Sequence, residues 1–137
     1  MQSSLITAFS DQRCDTIFND KSGIISYLND QIDLKRRFHC VTMPSRFGKT
    51  YIAEMIAAYY TNEDDSHEAF KGLAIESDPS FESHINKHNV IKLDIAGICA
   101  DSPKSEAVRL IRESIIGRLA ELCPGGAPLD PQPKIAI

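Results

Sequence analysis

The sequence predicts an α/β fold with mostly parallel strands, and three observations point there. Two short runs rich in β-branched and apolar residues, 38–42 and 90–95, stand well apart in the chain. Segments with apolar residues at helical spacing follow each of them. The 38–42 run passes directly into Met43-Pro-Ser-Arg-Phe-Gly-Lys-Thr50, which reads as the loop between a strand and a helix. Strands alternating with helices through short connections pack as parallel strands with right-handed crossovers.

Taken in order, residues 1–15 are mixed and turn-like, with Leu5, Ile6 and Phe9 as their apolar members. Thr16-Ile-Phe18 is a short candidate strand. Asn19-Asp-Lys-Ser22 is a turn able to cap the next helix, because Asp and Ser oxygens accept from free helical N–H groups. That helix carries Ile24, Ile25, Leu28 and Ile32 and ends in the charged segment 33–37. After the loop, Ile52, Met55, Ile56, Tyr59 and Tyr60 form the stripe of a helix packed on a core. A polar, acidic stretch at 61–66 closes that helix, and a short amphipathic piece, His67-Glu-Ala-Phe-Lys71, ends at Gly72. Leu73 and Ile75 return to the core. Asp78-Pro79 reads as cap and first helical residue of a short helix reaching Ile85. Cys40 belongs to the first apolar run and is placed for burial. Ser102-Pro103 repeats the cap-then-proline signal ahead of a helix with Val108, Ile111, Ile115, Leu119 and Leu122 on one stripe, widened by Leu110 and Ile116. Pro124-Gly-Gly126 stops it, and 124–137 reads as an irregular tail.

The chain has 137 residues with 42% apolar content, which suits one domain with its own core. A net charge of −4 and a pI near 5.5 give no general field for nucleic acid or anionic membrane. Lys35-Arg36-Arg37 is the basic run, placed to cap a helix C-terminus. Four cysteines, Cys14, Cys40, Cys99 and Cys123, are widely spaced with no CxxC pair, which is thiol usage in a reducing compartment. No signal peptide or membrane-length apolar run is present in the sequence, so a cytoplasmic protein is expected.

The loop carries the chemistry. A helix N-terminus offers unshared backbone N–H groups and the positive end of the macrodipole to a polyphosphate. Gly48 lets the backbone approach the phosphates, Lys49 supplies a cation, and Thr50 a hydroxyl for Mg²⁺. The full pattern has a glycine five residues before Gly48, and Met43 stands there, so the motif is degenerate. The plainer alternative is a helix start with a solvated lysine. Pro44, Ser45, Arg46, Phe47, Gly48, Lys49, Thr50 and Tyr51 are the candidate nucleotide-contacting residues, with ATP and Mg²⁺ as the expected cofactors.

Several segments, in order, carry a resemblance: Phe18-Asn-Asp-Lys-Ser-Gly-Ile-Ile-Ser-Tyr-Leu28, the 43–50 loop, Ala69-Phe-Lys-Gly-Leu-Ala-Ile75 and Asn89-Val-Ile-Lys-Leu-Asp94. Together they resemble the AAA-ATPase-like family of prokaryotic P-loop proteins, often found ahead of a restriction-nuclease-like domain. The resemblance covers residues 5–122. It implies an incomplete P-loop NTPase three-layer sandwich over 1–123, the N-terminal part of such a domain. The family loop has arginines where Met43 and Ser45 stand, which shifts the charge onto Arg46 and Lys49. Asp20 and Lys21 match a turn that lies near the adenine in related ATPases; a capping turn is the equal alternative.

By the same resemblance, Asp94 ends the family's second strand. It is either a Mg²⁺-associated group or a strand-end carboxylate. No acidic strand follows to supply a Mg²⁺ aspartate and a water-orienting glutamate, so the catalytic residues are unknown and slow hydrolysis is expected. The two strands would be left with unpaired edges, or would pair with each other or a partner. The chain is thus expected to bind nucleotide as part of a larger ATPase, with a further C-terminal domain or a protein partner. The rival is a nucleotide-independent interaction module, and a small P-loop kinase ranks last. His84 and His88 share a helix face only if helix continues through Asn86, and no third metal ligand accompanies them. The Glu63-Asp-Asp65 run reads as a solvated loop.

Overall fold

In a computed structural model, residues 5–14, 18–35, 38–123 and 125 are described, and they divide into two compact units, Met1–Val90 and Ile91–Ile137. The first holds α1 (Leu5–Arg13), α2 (Gly23–Gln31), α3 (Lys49–Tyr60), α4 (His67–Phe70), a 3-10 helix (Ala74–Ser77) and α5 (Phe81–His84). The second holds α6 (Ile95–Ile98), a 3-10 turn (Lys104–Glu106) and α7 (Ala107–Leu122).

α3 is the centre of the first unit. Its expected stripe is buried, and so are Glu54, Ala57 and Ala58, so its second half has no solvated face. Phe9 of α1 stacks on Phe70 of α4 at 4.9 Å, and Tyr59 of α3 meets Phe70 and Phe81 edge-on or tilted at 5.5 and 5.8 Å. Aromatic pairs in these offset and edge geometries add roughly 0.5–1.5 kcal/mol each beyond their burial. Ile25, Leu28 and Ile32 bring α2 onto this core. Asn29 sits among them, its amide donating to Tyr59 Oη at 3.0 Å and Ser80 Oγ at 2.9 Å and accepting from Tyr60 Oη at 2.6 Å. Such full satisfaction is what makes a buried amide tolerable.

Two segments of the first unit depart from the local reading. Residues 5–13 form a helix where a turn-like stretch was expected, because Phe9 plugs the aromatic cluster and Arg13 donates to the carbonyls of Glu68, Ala69 and Lys71. The short helix after Asp78-Pro79 begins only at Phe81; the Asp78 carboxylate instead accepts from Ser80 N–H at 2.8 Å. The expected strand Thr16-Ile-Phe18 lies outside the described residues except for Phe18, which packs edge-on to Tyr51 at 5.8 Å. The helix stop at Pro124-Gly-Gly126 and the tail also lie outside them, Gly125 excepted.

The α/β expectation is overturned. Among the described residues there is no strand or sheet, and the β feature is an isolated parallel bridge between Thr61 and His88. The incomplete three-layer P-loop sandwich with mostly parallel strands falls with it. Residues 38–42 form no strand, and Phe38 is 88% exposed, with Val41 and Cys40 exposed as well. The expected burial of Cys40 is therefore corrected too. Residues 91–94 form no strand, although the Asp94 backbone is extended, and Ile95 opens α6 instead of ending a strand. β-branched composition makes a strand only where a neighbouring strand satisfies its backbone, and among the described residues no strand lies beside either segment.

In the second unit α6 packs against α7. The stripe of α7 has helical spacing as expected, yet no residue of this helix is buried, and Val108 is 71% exposed. Among the described residues no helix is long and apolar enough to cross a membrane.

Candidate functional site

The loop ahead of α3 has a distinct backbone. Phe47 N–H donates to Pro44 C=O at 3.3 Å, closing a turn, and the residues on either side of Phe47 have positive φ: Arg46 at 67° and Gly48 at 94°. Gly48 suits this conformation, which costs other residues about 1–2 kcal/mol. A Cβ at Gly48 would also stand 3.1 Å from Lys21 Nζ. The first α3 bond runs from Ile52 N–H to Gly48 C=O at 3.0 Å. The N–H groups of Lys49, Thr50 and Tyr51 therefore lie in the first turn, where a helix has no acceptor of its own for them.

The side chains around these amides differ in direction. Arg46, Phe47, Lys49 and Thr50 are exposed, as are Pro44 and Ser45, and Lys49 has no ion-pair partner among the described residues. Tyr51 turns inward. Its ring lies 5.9 Å from Phe9 and 5.8 Å from Phe18, and its hydroxyl is buried without a hydrogen-bond partner among the described residues. Burial pushes that phenol up to about 12, with the charge of Asp20 adding and that of Arg13 opposing. Tyr51 thus offers the loop a backbone N–H and gives its side chain to the core.

The upstream turn reaches the loop. Lys21 Nζ donates to Phe47 C=O at 2.5 Å. Its neighbours pin the turn to the 3-10 helix: Asp20 Oδ2 accepts from Ala74 N–H at 2.7 Å, and the buried Ser22 Oγ accepts from Ile75 N–H at 3.1 Å. Asp20 Oδ1 accepts from Ser22 N–H at 2.8 Å, closing a turn just ahead of α2. Ser22, at the N-cap, makes no side-chain cap bond and gives its hydroxyl to a neighbouring element, so the expected cap of α2 is not made. Burial raises the Asp20 carboxyl, but the bonds from Ser22 and Ala74 and the charge of Arg13 outweigh it and leave it below the ordinary carboxylate value. Three segments distant in sequence, 18–28, 43–50 and 69–75, therefore meet through consecutive residues of one turn. The cations and donors there are Arg46, Lys49, Lys21 and the Thr50 hydroxyl beside the amides of the first helical turn, while the Asp20 carboxylate is taken up by the Ser22 and Ala74 N–H groups. This donor set suits an anion rather than a bare cation.

Asp94 belongs to the other unit. Its carboxylate accepts from Gly97 N–H at 3.0 Å and caps α6, and a Cβ at Gly97 would fall 2.7 Å from it. His84 and His88 do come together, their rings stacked at 5.7 Å although α5 ends at His84 and Asn86 adopts φ 55°. Among the described residues no group of three or more His, Cys, Asp or Glu could hold a metal ion. A cleft of about 240 Å³ lies elsewhere in the first unit, against His67, Glu68, Lys71, Glu76, Asp78, Phe81 and Glu82.

Sequence reasoning missed Arg13, whose three-carbonyl clasp needs a fold to be seen, and the buried amide Asn29. The spacing of Leu5, Phe9 and Arg13 at i, i+4 and i+8 was the signal available for α1. Compared with known families, residues 6–121 match a family model described as a predicted AAA-ATPase. Comparisons with curated proteins and with solved structures found no match.

Proposed function

Because the chain belongs to the AAA-ATPase-like family, we propose that its 43–50 loop binds the polyphosphate of ATP. The observation that carries the reading is the loop backbone: two positive-φ residues and a first helical turn whose amides have no helical acceptor, beside Arg46 and Lys49. Gly48 keeps the approach free of a side chain. Lys49 neutralises phosphate oxygens, and the exposed Thr50 hydroxyl is the group that would hold Mg²⁺. ATP bound there supplies a phosphoanhydride for hydrolysis, whereas the catalytic base remains unassigned among these residues. Binding with little or no turnover is the expected behaviour.

Titration with a fluorescent ATP analogue tests this. Wild type binds, and Lys49→Ala binds at least about tenfold more weakly, since a charge-assisted phosphate contact is lost. Equal affinity for both, or brisk ATP turnover by this chain, overturns the reading. One observation favours a second reading, a nucleotide-independent interaction module: the 38–42 segment pairs with no strand among the described residues and Phe38 faces solvent. Equal analogue binding by the two proteins would favour it.

A further inference from the structure

We infer that Lys21 is a positioning residue of the phosphate-binding loop, orienting its backbone through the Phe47 carbonyl; this rests on the nucleotide-binding reading above. Arg46 at φ 67° is a non-glycine residue in the left-handed region, and Gly48 at φ 94° follows two positions later. A backbone of this kind persists where its surroundings over-determine it. On one side the Phe47 N–H is held by Pro44 C=O. On the other the Phe47 C=O is held by Lys21 Nζ at 2.5 Å.

The second bond sets a direction. A trans peptide is planar, so its C=O and the next N–H point opposite ways. With the Phe47 carbonyl turned to Lys21, the Gly48 N–H is turned to the opposite side. Released from Lys21, the 47–48 peptide could rotate between two soft dihedrals and present a carbonyl dipole where an amide is needed, which repels an anion. The ammonium is delivered to its place by rigid neighbours: Asp20 is bound to Ala74 N–H at 2.7 Å and Ser22 to Ile75 N–H at 3.1 Å. It also stands 3.1 Å from the position a Gly48 Cβ would take, so it fills the space under the glycine. The motif's missing first glycine, replaced by Met43, leaves the loop with less freedom to find this shape by itself. One of the three ammonium donors is used by Phe47, and its positive charge remains beside the loop.

The experiment uses the full chain in four forms: wild type, Lys21→Ala, Lys21→Arg and Lys49→Ala. MgATP and inorganic tripolyphosphate are titrated into each, and the Phe47 and Gly48 backbone amide resonances are followed without ligand. Lys21→Ala is expected to lose about tenfold in affinity for both probes and to shift the Gly48 amide in the ligand-free protein. Lys21→Arg restores most of the affinity, and thermal midpoints of the variants stay within a few degrees of wild type. A general loss of folding would instead lower the midpoint and would not be rescued by arginine. Wild-type affinity in Lys21→Ala, with Lys49→Ala impaired, overturns this inference and leaves the nucleotide reading standing. Wild type that binds neither probe overturns both.

Discussion

Tyr60 Oη donates to Asn29 Oδ1 at 2.6 Å across the α2–α3 contact, and both residues are buried. The other half of the same amide donates to Tyr59 Oη, which in turn donates to Phe81 C=O at 2.7 Å. One amide therefore joins α2, α3 and the start of α5. Burial also raises the pKa of both phenols, Tyr59 to about 12, so each stays a neutral donor throughout the physiological range.

Replacing Asn29 by Leu keeps the volume close but leaves the Tyr60 hydroxyl without this acceptor in a dry site. The expected loss is about 2–4 kcal/mol in urea unfolding. Tyr60→Phe should cost about 1 kcal/mol, and the double variant should be less destabilised than the sum, because the orphaned hydroxyl is gone. Additive losses would show that the two side chains do not share this interaction.

How far the sequence foretold the molecule depends on what each element needs from its surroundings. α3 was legible because its signals are local: a loop ending in Gly48 and an apolar stripe from Ile52 to Tyr60, every member of which is buried. The 19–22 segment was legible as a turn but not as a cap: Asp20 Oδ1 takes the Ser22 N–H ahead of α2, and Ser22 Oγ takes the Ile75 N–H in place of a helical amide. The 38–42 and 90–95 runs misled because β composition reports a demand for a partner strand, and no strand lies among the described residues to meet it. α1 was illegible for the opposite reason. Its few apolar residues say little alone, and Phe9 gains its weight only where Phe70 and Tyr51 are waiting. Within the loop, residue identities suggested anion chemistry, but the contact between Lys21 and Phe47 joins positions 26 apart and lay beyond local pattern.

Tyr51 offers a separation of packing from ligand contact. Its ring belongs to the aromatic core, while its buried hydroxyl lacks a hydrogen-bond partner among the described residues. Tyr51→Phe removes the orphaned group and keeps the ring. Thermal and urea stability should hold or rise, by up to about 1–3 kcal/mol if the whole desolvation penalty is relieved. Affinity for the ATP analogue should not change, since only the Tyr51 backbone borders the loop. A drop in stability together with a drop in affinity would place the hydroxyl in contact with a group that holds the site.

His67 provides a pH-dependent contact remote from the loop. Its Nδ1 pairs with Asp65 and its Nε2 lies 3.3 Å from Glu82 Oε2, joining the start of α4 to α5. Glu68, Glu76 and Asp78 add negative charge around the same cleft, opposed by Lys71. The hydrogen bond with Asp65 and, against mild desolvation, that with Glu82 raise the imidazole above its ordinary 6.5. A raised folded-state pKa means that the imidazolium stabilises the fold fully below the unfolded value near 6.5, and that this contribution fades as pH rises through the folded value. The groups are exposed, so solvent screening keeps this contribution small. Urea midpoints should therefore fall between pH of about 5.5 and 8.5 by more in wild type than in His67→Gln. An NMR titration placing His67 below 6.5, or equal pH slopes in the two proteins, would show that the Asp65–His67–Glu82 contact carries no charge-dependent stability.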